Sequence, residues 1–443
     1  MDLQHRPVRG LSAAVFLALA SLSPLSAQSG PLSGLIPHLF DRTIVLATTG
    51  HQAHFIDSSR GLVEAGNLIN DSIVSQLGTL PITSSAGGFT FTFDPALGVM
   101  TRSSESFGPI FAERAATIGK GKWTIGLNSS HYQYDSLDGL DLDQGEIVQS
   151  FTHLDTNHDG GTVETVYEGD LIYADARLDL TQDVTVFSGS WGLSDRFDLA
   201  FAVPLVKVGL KASLDTHIVR LATEGLENPP AHQFAGGLDE EDYHDDGRAS
   251  GVGDIQLRGK LALVRKGGSG FALGLDVRLP TGDEKELLGT GATAARLQLL
   301  GSASFGRFAT HLNVGYTAAD LTDSSSANLS DEIGVVLAGD LAVHERVTIV
   351  AEVLWRRLLD ATTLQVGEAQ HLYRRFNSTE ITTTTRPVLL SGKEDINIVN
   401  AVIGAKWNLF GQVLISTHLM LAIGDDGLRD TDLIPTLGID YSF

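Results

Sequence analysis

A transmembrane antiparallel β-barrel of about 12 strands is the fold class that this sequence of 443 residues predicts. Three observations predict it: stretches of bilayer-crossing length that alternate apolar with polar residues, connections that alternate short with long, and a final strand that ends on an aromatic residue.

In the last strand Phe443, Tyr441, Ile439 and Leu437 are apolar at every second position, and Ser442, Asp440, Gly438 and Thr436 between them are small or polar. Side chains alternate faces along a strand, so one face is apolar and the other wet. An aromatic residue closing such a strand resembles the signal read by bacterial barrel-assembly machinery. Leu437, Ile439, Tyr441 and Phe443 are therefore the expected assembly signal.

The same period recurs upstream. Ile255, Leu257, Leu261 and Leu263 oppose Asp254, Gln256, Arg258 and Lys260, and Phe271, Leu273, Leu275 and Val277 oppose Gly274, Asp276 and Arg278, with residues 265–270 as a glycine-bearing hairpin turn. Leu297 and Leu299 oppose Arg296 and Gln298; Leu312 and Val314 oppose His311 and Asn313; Ile333 and Val335 oppose Glu332. Ile349, Val353 and Trp355 oppose Glu352 and Arg356; Ile403, Trp407 and Leu409 oppose Asn400 and Lys406; Ile415, Leu419 and Leu421 oppose Ser416 and His418. With Trp123–Tyr134, about Asp183–Trp191 and Phe197–Val208, the count is twelve, an even number with both chain ends on the periplasmic side.

Connection lengths test that topology independently. Turns at 192–196, 265–270, 305–307, 343–346 and 410–412 are short, whereas connections at 135–182, 209–250, 281–291, 319–331, 359–394 and 424–431 are longer. Trp123, Trp191, Phe197, Phe271, Phe305, Phe308, Trp407, Phe410 and Phe443 all fall beside the short turns, as one interfacial girdle would. A soluble β-sandwich also alternates, but it does not account for these coincidences together.

At the other end, His5, Arg6 and Arg9 precede an uncharged stretch from Leu11 to Leu22 and a small-residue exit at Ser26-Ala27. That layout predicts a signal peptide over 1–27; the apolar run is short of the roughly 20 residues of a membrane anchor. Without it the chain carries 29 Lys+Arg against 53 Asp+Glu, so nucleic acid is excluded as a partner by charge. There is no cysteine, which excludes disulfides and thiolate metal sites.

Residues 28–120 do not follow the strand rhythm. Leu62, Ala65, Ile69, Ile73 and Leu77 share one face of a helix stopped by Gly78 and Pro81, and Phe89, Phe91 and Phe93 alternate as a strand up to Asp94-Pro95. The segment is either a periplasmic extension or a hatch folded into the lumen of the barrel at 121–443. The phenylalanines need cover, which favours the hatch. Asp94, Glu105 and Glu113 are its expected partners for inward arginines.

The stretch Trp191-Gly-Leu-Ser-Asp-Arg-Phe-Asp-Leu-Ala-Phe-Ala-Val-Pro204 resembles the first hairpin of the outer-membrane β-barrel family associated with the phenol meta-degradation pathway. Arg278-Leu-Pro-Thr-Gly-Asp283, followed by Leu288-Gly-Thr-Gly291, is similar to a strand-to-loop segment of that family. The resemblance spans roughly 120–443 and implies passive transport of small aromatic or otherwise hydrophobic molecules across the Gram-negative outer membrane. It implies outer-membrane lipid and lipopolysaccharide as surroundings, and supplies no binding residues.

Charge at membrane depth survives only toward water or a partner. Arg258, Lys260, Asp276, Arg278, Arg296, His311, Glu352 and Arg356 are therefore the pore-lining candidates, either lining an aqueous path or knitting the interior by ion pairs. Ser416 and His418 share a strand face but have no third partner in sequence, and Asp215 and His217 are assigned to a loop, so an outer-membrane hydrolase is the second reading and a non-transporting surface barrel the third. The acidic run Asp239, Glu240, Glu241, Asp242, Asp245 and Asp246 reads as a solvated loop. No organic cofactor is expected. Asp155, Asn157, Asp159 and Gly160 match the opening of a calcium loop, although Val166 stands where the bidentate glutamate belongs. If they hold calcium, the ion slows proteolysis of residues 150–168; identical digestion with calcium and with chelator removes the metal from this loop.

Overall fold

The computed structural model describes residues 30–41, 58–79, 81–85, 88–94, 99–102, 104–153, 166–226, 232–266, 268–321 and 329–443. The signal-peptide segment and Asp155, Asn157 and Asp159 lie outside them. A short helix, Leu35–Asp41, and a long one, Ser58–Leu77, precede a hairpin of β1 (Phe91–Asp94) and β2 (Val99–Arg102). Then come β3 (Trp123–Tyr134), the short β4 (Ser136–Leu137) and β5 (Leu140–Asp141), β6 (Ile147–Thr152), β7 (Leu171–Gly192), β8 (Phe197–Val219), β9 (Glu240–Val252) and β10 (Gln256–Lys266). The rest are β11 (Ser269–Arg278), β12 (Ala294–Phe305), β13 (Phe308–Ala318), β14 (Glu332–His344), β15 (Val347–Arg374), β16 (Ile381–Phe410), β17 (Val413–Ile423), the short β18 (Leu428–Arg429) and β19 (Ile434–Ser442).

Twelve of these strands form a closed antiparallel ring. Pairing runs from β7 through β3, β19, β17, β16, β15, β14, β13, β12, β11, β10 and β8, and β8 returns to β7. The seam closes where Phe443 and Trp123 exchange two backbone hydrogen bonds of 2.9 Å. β6 and β9 are additions outside the ring, against the upper parts of β7 and β8.

The wall has its polarity inside out. Leu297, Ile403 and Leu437 are about 60% exposed (59%, 61% and 63%), while Lys260 and Asp340 on the inner face are 1% exposed. A water-soluble sheet would bury the first set and expose the second. Only a hydrocarbon surround makes this arrangement stable, so the ring is a transmembrane barrel. The girdle sits on the short-turn rim: the Trp123 and Trp191 rings stack at 4.9 Å, and Phe305 faces Phe308 across a turn.

Four strands are longer than the alternation predicts. β7 and β8 run for 22 and 23 residues, β15 and β16 for 28 and 30, against 9–13 for the remaining ring strands. The connections expected as loops at 135–182, 209–250 and 359–394 are therefore largely paired wall beyond the membrane. The reason is that this wall meets water: Thr382, Thr383, Thr384 and Thr385 pair with Tyr373, Leu372, His371 and Gln370, and no apolar face is required. Asp215 and His217 are likewise in β8, not in a loop, and Asp215 pairs with Arg177. The acidic run is strand from Glu240 onward, held against β8 with Asp246 opposite Lys211. Acidic residues disfavour strands locally, so only the β8 partner imposes this one. The strand expected around the three phenylalanines is limited to 91–94.

Inside the long-loop half of the barrel the polarity reverts to that of an ordinary core. Leu32, Ile36 and Phe40 from the N-terminal segment pack with Ile69, Ile73 and Leu77 of the long helix against Leu142, Ile147, Ile172, Leu210 and Leu214 of the wall. Each such side chain contributes about 1.5–3 kcal/mol of burial, which fastens the helices in place.

β19 completes the ring by pairing with both β17 and β3, and its outward face carries the terminal alternation. Removing Phe443 together with Tyr441→Asp is expected to cut the yield of heat-modifiable barrel at least severalfold; an unchanged yield on semi-native gels would remove the terminal alternation as the assembly determinant.

Candidate functional site in the barrel lumen

Residues 105–118 cross the short-turn half of the lumen and are hydrogen-bonded to inward side chains of one strand after another. The amide of Phe107 donates to Thr348 on β15 at 2.9 Å, and those of Ile110, Phe111 and Ala112 all donate to the carboxylate of Glu352 on the same strand. Glu113 and Asn313 of β13 exchange two bonds, Glu113 N to Asn313 Oδ1 at 2.6 Å and Asn313 Nδ2 to Glu113 O at 2.9 Å. The Ala115 amide donates to Ser302 of β12, the Ile118 amide to Asp198 of β8, and the Lys406 ammonium of β16 donates to the carbonyl of Pro109. The segment leaves the barrel between glycines: a Cβ on Gly192 would lie 1.9 Å from the carbonyl oxygen of Gly119, so no other residue allows this approach.

The charges named from the alternation form a network with this plug. Arg258 makes a bidentate pair with Asp276 at 2.6 and 2.8 Å and a further contact to Glu113. Lys260 lies between Glu113 at 3.4 Å and Asp198 at 3.5 Å. Arg356 pairs with Glu332 at 2.6 Å, and His311 bridges Ser302 at 2.8 Å and Asp340 at 2.7 Å. Of the three plug acids expected to meet inward arginines, Glu113 meets Arg258, whereas Glu105 pairs with Arg307 on the short-turn rim. Nothing described places the Asp94 side chain.

Among the described residues, Arg278 and Arg296 have no carboxylate within 4.0 Å. Arg278 donates to the carbonyl of Gly78, just past the end of the long helix, at 3.1 Å. That is the position where a cation caps the exposed carbonyls of a helix C-terminus.

Above the plug the lumen is not filled. A cavity of about 110 Å³ is lined by Arg258, Arg278, Arg296, Arg356, Glu113 and Phe111 among others. A more apolar recess of about 60 Å³ lies against Leu77, Val184, Val206 and Phe111, and a third space of about 50 Å³ lies against Tyr132, Tyr134 and Arg356. All three touch Pro81, so they surround the chain that joins helix to plug.

Sequence reasoning missed Asn313, Ser302, Asp198 and Lys406 as plug anchors. Their inward phase was legible, but which of them a segment 80 to 297 residues away in sequence would select was not. Ser416 and His418 share the inner face; strand geometry holds their Cα atoms about 6.6 Å apart. The His418 ring packs edge-on against Phe111 at 5.1 Å, and both its nitrogens are buried without a hydrogen-bond partner. That is not a base poised on a nucleophile. Among the described residues no group of His, Asp and Glu could hold a metal ion.

Residues 154–328 match the model of a family described as "Putative MetA-pathway of phenol degradation". This is the family that the two motifs resemble. A search of curated proteins finds no match. Among solved structures, an outer membrane channel from Pseudomonas putida aligns at 13% identity over 74% of this chain and 98% of its own, with a TM-score of 0.43. A Pseudomonas aeruginosa FadL homologue aligns at 10% identity over 82% of this chain and 98% of its own, with a TM-score of 0.33. A toluene transporter from Ralstonia pickettii aligns at 10% identity over 73% of this chain and 89% of its own, with a TM-score of 0.25.

Glu352 is the anchor with the most plug amides. Hydrogen bonds to a charged group are worth about 1.5–3 kcal/mol each, so losing this carboxylate should weaken local plug closure by roughly 3 kcal/mol, or about a hundredfold. Glu352→Ala is expected to speed hydrogen exchange at the Ile110, Phe111 and Ala112 amides by that factor while the barrel remains heat-modifiable; unchanged exchange would show that the plug is held elsewhere.

Proposed function

We propose that the protein is an outer-membrane channel through which small, chiefly aromatic molecules cross passively. The observation that carries this reading is the set of cavities around Pro81: the lumen is stoppered at the short-turn end by hydrogen-bonded backbone with only small apolar clusters, and keeps open volume with both polar and apolar lining above the stopper. A plug of this kind can give way locally without unfolding the ring, because its bonds to the wall are individually modest. The family's description supplies the solute class, through phenol degradation. A hydrolase reading has no assembled nucleophile and base to support it at Ser416 and His418.

Cells carrying the protein are expected to take up micromolar phenol or toluene several times faster than cells without it, and equal uptake would leave a non-transporting surface barrel as the better reading. The plug supplies a second check. Protein lacking residues 31–115 is expected to assemble and to show larger single-channel conductance in planar bilayers than the chain from residue 28; equal conductance from two well-folded samples would mean that the segment does not limit the pore.

A further inference from the structure

The main cavity is lined by four guanidinium groups, Arg258, Arg278, Arg296 and Arg356, but by only three carboxylates, Glu113, Asp276 and Glu332. The carboxylates are all engaged. Asp276 and Glu113 hold Arg258, and Glu332 holds Arg356. Arg278 has the neutral carbonyl of Gly78, and Arg296 makes no hydrogen bond or ion pair within 4 Å among the described residues. The Nε of each is buried with no partner.

These two arginines belong together. In the β11–β12 register Asp276 faces Arg296 and Arg278 faces Ala294, so Arg278 and Arg296 are diagonal neighbours on the inner face, with Cα atoms about 7–8 Å apart. Side chains of that length reach one oxyanion from such positions, and a guanidinium fork matches a carboxylate in a bidentate way. Glu332 and Asp276 act on Arg296 only through space, each being held by another arginine, so its buried guanidinium lacks a direct oxyanion, and one arriving from outside would supply it. The apolar recess adjoins the arginines directly, sharing Pro81, Ile82, Phe111 and Gln256 with the main cavity. It offers cover to an apolar body, and the one charged residue on its lining, Asp254, already accepts from the Gly282 and Thr290 amides and the Thr290 hydroxyl.

We propose that the lumen binds a small monocarboxylate with an apolar or aromatic body, its carboxylate between Arg296 and Arg278 and its body in the recess beside Phe111. This deepens the channel reading and rests on it for the purpose of the site, though not for the binding itself.

The test is calorimetric titration of the detergent-purified full chain with three probes: benzoate, benzyl alcohol, which has a ring of the same size without the charge, and inorganic phosphate, which has charge without a body. Benzoate is expected to bind at least tenfold more tightly than either. Arg296→Gln and Arg278→Gln should each weaken benzoate at least tenfold, and Arg296→Lys should restore part of the loss. Without ligand, Arg296→Gln should raise the temperature of the heat-modifiable transition, since it removes a buried cation that has no directly bonded carboxylate; a merely structural arginine would lower it. Equal binding of benzoate and benzyl alcohol would overturn the carboxylate, and so would unchanged benzoate binding in a folded Arg296→Gln protein. Phosphate binding as tightly as benzoate would reduce the site to an inorganic anion site and overturn the role of the recess. Tight benzoate binding without any solute uptake would instead overturn the channel reading and leave the site standing.

Discussion

Hydrocarbon cannot accept or donate a hydrogen bond, and that constraint governs the architecture from the seam to the plug. Every backbone N–H and C=O at membrane depth must find a partner within the protein, and a sheet can satisfy this only by closing on itself. The β19–β3 ladder, which the two bonds between Phe443 and Trp123 finish, matters for that reason: it joins the two ends of the ring, and without it two strand edges would face lipid. The same surround fixes which way the side chains point. Leucines and valines go outward to lipid, and the alternate positions, freed from that demand, can carry Arg, Lys, Asp and Glu inside.

A polar interior then creates its own difficulty. Charges such as Lys260 and Glu352 are nearly inaccessible, and a buried charge is tolerated only when paired or hydrogen-bonded. The plug solves this with backbone instead of side chains. Its amides fall on Glu352, Asn313, Ser302 and Asp198, and its one buried acid, Glu113, falls on Arg258 and Lys260. Plug and wall are thus each other's counter-groups. The exception is the pair Arg278 and Arg296, placed where the plug gives way to open cavity. The larger hydrophobic core belongs to the long-loop half, where the barrel has risen out of the membrane around the helical segment; in the short-turn half apolar packing between plug and wall is limited to small clusters such as Phe89, Phe107 and Leu414.

The barrel was legible because lipid imposes a strict two-residue period on whatever crosses it. Leu273, Leu275 and Val277 against Gly274, Asp276 and Arg278 is a pattern with one reading once the length matches a bilayer, and the inward set follows from the outward one. Where that pressure stops, so does the signal. The extensions of β15 and β16 meet water on their outer side and bury only scattered residues such as Leu364 and Leu389 within, and β9 is acidic; nothing local distinguishes them from loops. The long helix was legible from the spacing of Ala65, Ile69, Ile73 and Leu77, but its place inside the upper barrel was not, because an amphipathic face specifies that it must be covered and not by what.

The sequence by itself determined the class of fold, the strand phase, the short-turn rim with its girdle, and the list of charges that must face inward. These follow from the contrast between lipid and water, which acts on each residue independently of its distant neighbours. Tertiary structure alone decided which of those charges are spent and which remain. Arg258 and Arg296 look alike in sequence, each inward on an adjacent hairpin, yet one is neutralised by direct contact with Asp276 and Glu113 and the other faces a cavity with no directly bonded carboxylate among the described residues. The difference arises from where a plug segment more than 140 residues upstream places Glu113, and pairing across that separation is set by closure of the whole barrel, not by any local pattern.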